Sequence, residues 1–223
     1  MAGANVLLTG FGPFPGAPEN PSAWLVERLA ASEPAVVSDG RLHAHVLPTE
    51  WSTVSTLTPR LLDELTPRLV VHFGLSRRSR SFRIERTAHN AMVQRADANG
   101  AVPVAATILD GGRDRLHSPA PVSMLAAHLK ANGLAAAPSR GTDSYICNLL
   151  YYLSLDWASR QTHSPLACFV HIPPAAAQGG PFDDDDLVRG AKLILHLLSE
   201  LVLARNEKPV AARTTVTLAE KTS

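Results

Sequence analysis

Apolar residues in this chain fall into two kinds of run. Some are short and unbroken, others are longer and return every three to four positions, and the two kinds alternate. The unbroken runs at residues 5–9, 69–73 and 166–171 predict strands buried on both faces, and residues 42–47 predict an alternating strand. The periodic runs predict helices. The first starts at Asn20-Pro21, a capping residue followed by a first-turn proline, and runs to about residue 32. A second covers residues 51–65 with a break or kink at Pro59. A third covers 121–132 and stops at Gly133, a fourth opens around Cys147, and the last spans about 184–205. Residues 75–120, with Asn99-Gly100 and Gly111-Gly112, read as hairpins and loops. Strand and helix signals in alternation predict an α/β fold: a single domain with a twisted, mixed, mostly parallel central sheet and helices on both faces. That domain is expected to occupy residues 1–205. Residues 206–223 read as a mobile polar tail in which Val216-Thr217-Leu218 could add a short strand.

Composition narrows the function. At 223 residues and 23.8 kDa the chain can bury one sizeable core. A net charge of +1 and the lack of a basic block give no nucleic-acid footprint. Arg77, Arg78, Arg80, Arg83 and Arg86 cluster locally, but only Phe82 among them could stack on a base. No apolar run approaches the length that spans a bilayer, and Met1-Ala2-Gly3 leads straight into a strand, so a soluble, cytoplasmic protein is expected, with no membrane partner. Two cysteines, Cys147 and Cys168, make neither a CxxC pattern nor a disulfide framework. Asp183-Asp184-Asp185-Asp186 falls at a helix start, where acids complement the macrodipole, and is not read as a metal site. No metal and no cofactor are expected.

Three residues carry candidate chemistry. Cys147 follows a turn-rich stretch and opens an apolar helix, where unpaired N–H groups and partial positive charge favour thiolate. Cys168 lies inside a buried strand. His171 stands at the end of that strand, and Glu85 sits between Ile84 and Arg86. Each has a plain alternative: a packed cysteine, a satisfied strand-end histidine, the exposed half of a strand alternation. Together they are the parts of a thiol hydrolase. An α/β hydrolase of the serine type would need a G-x-S-x-G elbow, and none is present.

Longer strings give these residues a context. Leu7-Leu8-Thr9-Gly10-Phe11-Gly12-Pro13-Phe14 with Asn20-Pro21-Ser22, then Glu85-Arg86-Thr87-Ala88-His89-Asn90, then Gly141-Thr142 leading to Cys147-Asn148, and last Phe169-Val170-His171-Ile172-Pro173 with Gln178, resemble the blocks of the pyroglutamyl peptidase I family, in the family's order. The resemblance implies a cysteine exopeptidase that removes N-terminal pyroglutamate from peptides through a thioester. It implies Cys147, His171 and Glu85 as catalytic residues. Cys147, through its backbone N–H, and Arg95 would be oxyanion donors, Arg95 holding the family's spacing of ten residues beyond the glutamate. A salt bridge to Asp97 is the alternative for Arg95. Phe11, Phe14, Asn20, Leu75 and Ile146 are implied as substrate-binding residues. Partners would be peptides bearing pyroglutamate, and a homo-oligomer, dimer or tetramer, is implied as well. The chain also departs from the family. Leu75 replaces a glutamine, residues 76–81 are rich in arginine and serine where relatives are rich in glycine, and Leu149 replaces a histidine. A non-catalytic or altered-specificity peptide-binding relative is therefore the alternative reading. Residues 75–83 bury few large side chains and are expected to form a mobile flap over the substrate, a rigid hairpin pinned by arginine salt bridges being the alternative.

Overall fold

The computed structural model describes residues 5–32, 41–139, 141 and 143–207. The expected C-terminal tail from residue 208 onward lies outside them. Among the described residues no helix is long and apolar enough to cross a membrane.

Among the described residues, eight strands and five α-helices follow in the order β1 (Val6–Phe11), α1 (Pro21–Ala30), β2 (Leu42–Leu47), α2 (Trp51–Leu65), β3 (Leu69–Leu75), β4 (Phe82–Glu85), β5 (Thr87–His89), β6 (Arg115–His117), α3 (Val122–Ala131), β7 (Ala136–Ser139), α4 (Ile146–Arg160), β8 (Leu166–Ile172) and α5 (Asp184–Glu207). Six strands form one sheet in the order β2-β1-β3-β8-β4-β7, and β5 and β6 form a separate antiparallel pair. Strands β2, β1, β3 and β8 are mutually parallel; β4 runs antiparallel to β8 and parallel to β7. This is the mixed, mostly parallel sheet that the alternation predicts.

Side chains on the sheet divide by parity. Leu69, Val71, Phe73, Cys168, Val170 and Ile172 pack with α1, α3 and α5 on one face. Leu7, Val70, Ala167 and Phe169 pack with α2 and α4 on the other. With both faces covered, β1 and β8 can be almost wholly apolar. Helix α1 presses so closely on β1 that a Cβ at Gly10 would lie 2.2 Å from the Ser22 carbonyl oxygen. Asn20 caps α1 as predicted, its side chain accepting from Ser22 N–H at 3.1 Å with Pro21 in the first turn.

The structure departs from the sequence reading at two elements, α2 and β7. Helix α2 runs through Pro59 without a break; the missing hydrogen bond would have gone to the carbonyl of Ser55, which is exposed and open to water. The same helix has no cap from its own Glu50; Asp97, from a distant loop, accepts from Trp51 N–H at 3.0 Å. Strand β7 was not foreseen. It carries Pro138, which fits because β7 is a sheet edge. Residues 76–81 form a turn closed by Ser79 N–H to Ser76 C=O, Ser79 Oγ to Ser81 C=O, and Arg80 Nη1 to Gly179 C=O, while Ser76 N–H continues the ladder to Ile172 C=O.

Candidate active site

Three elements meet at one end of the α2–α4 face of the sheet. Strand β8 carries Phe169 and His171 on that face and Cys168 on the opposite one, where Cys168 is fully buried and burial pushes its thiol up to about 12. Cys168 is therefore turned away from His171. Helix α4 starts at Tyr145, which supplies no capping side chain. Cys147 is in its first turn, where backbone N–H groups lack intrahelical partners. Strand β4 lies beside β8 with Arg83 opposite His171, so Glu85, two residues on, shares the face that carries the histidine.

His171 Nδ1 and Glu85 Oε1 are 2.8 Å apart, and Glu85 is only 1 % exposed. The other carboxylate oxygen, Oε2, is buried and has no side-chain or backbone partner among the described residues. Cys147 lines the same cleft as His171 and acts on its imidazole. Burial works against a charge on the imidazole, but the interactions with Cys147 and Glu85 outweigh it and hold His171 well above the usual histidine range. The site is thus built to keep a proton on the imidazole. The ring stands against Phe169, with centroids 4.8 Å apart, and Phe169 in turn packs on Tyr151 and His72. Gly74 on β3 lets these groups close in: a Cβ there would lie 2.8 Å from Phe169 Cζ and 3.2 Å from Cys147 Sγ.

The three residues line a cleft of about 770 Å³ together with Phe11, Phe14, Asn20, Leu75 and Arg95. Four of the five residues expected to bind substrate thus border the cleft. Ile146 does not. Its side chain is fully buried in the core under α4, because the first turn of the helix points it inward while Cys147 points out. Asn20 has both ends of its amide engaged, accepting from Ser22 and donating to Gly12 C=O at 3.0 Å, so it shapes the loop carrying Phe11 and Phe14. Arg95 does not pair with Asp97, which accepts from the N–H groups of Trp51, Asn99 and Ala101. Instead Arg95 lies over the Tyr145 ring, 3.6 Å from its centroid, with Nη2 3.5 Å from Asp143 Oδ2. Its positive charge therefore stands beside the N-terminus of α4.

Sequence reasoning missed the supports. Phe169 shares a face with His171 by simple alternation, and that signal was available. Tyr145 and Asp143 hold Arg95 through tertiary contact and leave no pattern in the sequence. Asn148, fully buried, accepts from His89 N–H at 2.8 Å and donates to His89 and Ala91 carbonyls at 2.7 and 3.0 Å. It ties α4 to the segment that leads to Arg95.

A cysteine in the first turn of a helix, an imidazole in the same cleft and a buried carboxylate behind the imidazole, on a mixed α/β sheet, define the class of thiol hydrolases. Within that class, the sequence model described as pyroglutamyl peptidase matches residues 4–181, and the chain belongs to that family. It is 30 % identical over 200 residues to human pyroglutamyl-peptidase 1, covering 88 % of this chain and 90 % of that protein. It is 29 % identical over 170 residues to the pyrrolidone-carboxylate peptidase of Pyrococcus furiosus, covering 75 % and 80 %. The crystal structure of Bacillus amyloliquefaciens pyroglutamyl peptidase I superposes with a TM-score of 0.80 at 25 % identity, over 88 % of this chain and 97 % of that one. The pyrrolidone carboxyl peptidase of Thermococcus litoralis shares the fold, with a TM-score of 0.82 at 22 % identity, over 91 % and 96 %.

Proposed function

We propose that this protein is a cysteine exopeptidase that removes N-terminal pyroglutamate from peptides. His171 takes the proton of Cys147, and the sulfur attacks the carbonyl joining pyroglutamate to the next residue. The tetrahedral oxyanion is met by the Cys147 N–H and the charge of Arg95. Collapse breaks the C–N bond, His171 gives its proton to the departing amine, and a thioester remains. Water, deprotonated by His171, releases pyroglutamate and restores the thiol. Glu85 fixes the imidazole tautomer and stabilises its charged form. The uncharged lactam rests against Phe11, Phe14 and Leu75, with Asn20 holding their loop.

The observation that carries this reading is the Cys147–His171–Glu85 relay opening into a cleft whose apolar wall includes Phe11, Phe14 and Leu75. Release of a fluorophore from a pyroglutamyl amide, compared with prolyl and alanyl amides, tests it. The pyroglutamyl compound should be cleaved at least a hundredfold faster. Equal rates on all three would remove the specificity, and no rate on any would favour a binding protein without turnover. We assign the protein to the cytoplasm and to a homo-oligomer, dimer or tetramer, in line with the family resemblance; sedimentation equilibrium reads the latter directly.

A further inference from the structure

Resting on that peptidase reading, a second specificity follows from charge. The pyroglutamyl group of a substrate is neutral, yet Arg77, Arg78, Arg83 and Arg95 all line the cleft that would receive it. The carboxylates of the same lining are already engaged: Glu85 with His171, Asp97 with three backbone N–H groups, Asp143 with Arg95. Among the described residues Arg77, Arg78 and Arg83 form no ion pair. Three positive groups gathered in one cleft, none held in an ion pair, are open to an anion.

Their placement ties that charge to the reaction. Arg83 is directly opposite His171 in the β4–β8 register, so the two side chains are cross-strand neighbours on one face. Its Nη2 is held 3.2 Å from Ser139 Oγ on β7, which fixes the guanidinium at the cleft. Arg77 rests against Gly16, where a Cβ would meet its Nη1 at 2.8 Å. A guanidinium presents a planar fork of donors that fits a carboxylate better than any neutral amide.

We propose that Arg83, with Arg77 and Arg78, selects peptides that carry a carboxylate beyond the pyroglutamyl residue. The carboxylate can come from an acidic side chain next to the scissile bond or from the free C-terminus of a short peptide. The recognised group leaves with the amine product, so the preference acts on the peptide and not on the lactam.

Four substrates test the idea: pyroglutamyl-Glu-Ala-amide, pyroglutamyl-Gln-Ala-amide, pyroglutamyl-Lys-Ala-amide, and pyroglutamyl-Gln-Ala with a free C-terminal carboxylate. At low salt, kcat/KM for the glutamate peptide, the free acid, or both should exceed that for the glutamine amide by about tenfold, with the lysine peptide slowest, and added salt should compress the spread. Which acid is favoured identifies the source. In Arg83→Gln and in Arg77→Gln/Arg78→Gln the acidic-to-neutral ratio should fall toward one, whatever the absolute rate. Equal rates on all four wild-type substrates would overturn the proposal while leaving the peptidase reading intact. An undiminished preference in both variants would overturn the assignment to these arginines. Failure to cleave any pyroglutamyl substrate would remove the peptidase reading, and this proposal with it.

Discussion

At the scale of single residues, the two cysteines separate cleanly. Cys147 borders the cleft alongside His171, whereas Cys168 is sealed on the other face of the sheet with its thiol raised. Iodoacetamide should label Cys147 and abolish turnover, and Cys147→Ser should retain less than a thousandth of the wild-type rate. Cys168→Ser should keep most of it; the reverse pattern would sink the assignment. Glu85 and His171 should behave as one unit, since the carboxylate acts only through the imidazole. Glu85→Gln is expected to lower kcat by two to three orders of magnitude with little change in KM, and adding His171→Ala should cost hardly more than His171→Ala alone. Additive losses would separate the two. Cys147, His171 and Glu85 were legible from the sequence because each sits in a string with a recognisable order. Ile146 shows where that reading stops: one helical step from the nucleophile, and turned entirely into the core.

Elements set how tightly the site is held. Gly74, at the end of β3, leaves the gap into which Phe169 and Cys147 Sγ pack. Gly74→Ala should therefore cut kcat/KM more than tenfold while circular dichroism stays unchanged; a wild-type rate would show that the sulfur position tolerates displacement. Deeper on the same strand, His72 bonds Thr9 Oγ1 at 2.8 Å and Ser154 Oγ at 2.9 Å, joining β1, β3 and α4. Burial lowers its pKa from 6.5 to about 3. The folded state thus binds fewer protons than the unfolded one. The stabilisation is complete above pH 6.5 and is lost as pH falls toward 3, by about 1.4 kcal/mol per pH unit. Melting temperature should decline with acidification through that window, and His72→Gln should flatten the slope. His171, shifted upward, has the opposite sign: its contribution is present below 6.5 and fades as pH rises, so it belongs to the alkaline limb. The apolar strands β1, β3 and β8 were plain in the sequence because burial on both faces removes polar residues. Strands β4 and β7 were not, since short strands with exposed Arg83 and with Pro138 resemble loops, and only their pairing partners make them strands.

For the molecule as a whole, β8 sits between β3 and β4, yet nearly a hundred residues separate it in the chain from the β3 residues it pairs with. A ribosome therefore delivers β1, β2 and β3 long before the strand that completes them. Until β8 arrives, β3 offers a bare hydrogen-bonding edge of seven residues, almost all apolar. Such an edge can recruit a neighbouring nascent chain as readily as its own missing strand. Refolding yield should fall steeply with protein concentration, and a chain released before residue 166 should aggregate rather than accumulate as a soluble intermediate. The strand that delivers His171 is thus also the one that ends the chain's exposure to its neighbours, so the cleft is not completed before the chain has become safe.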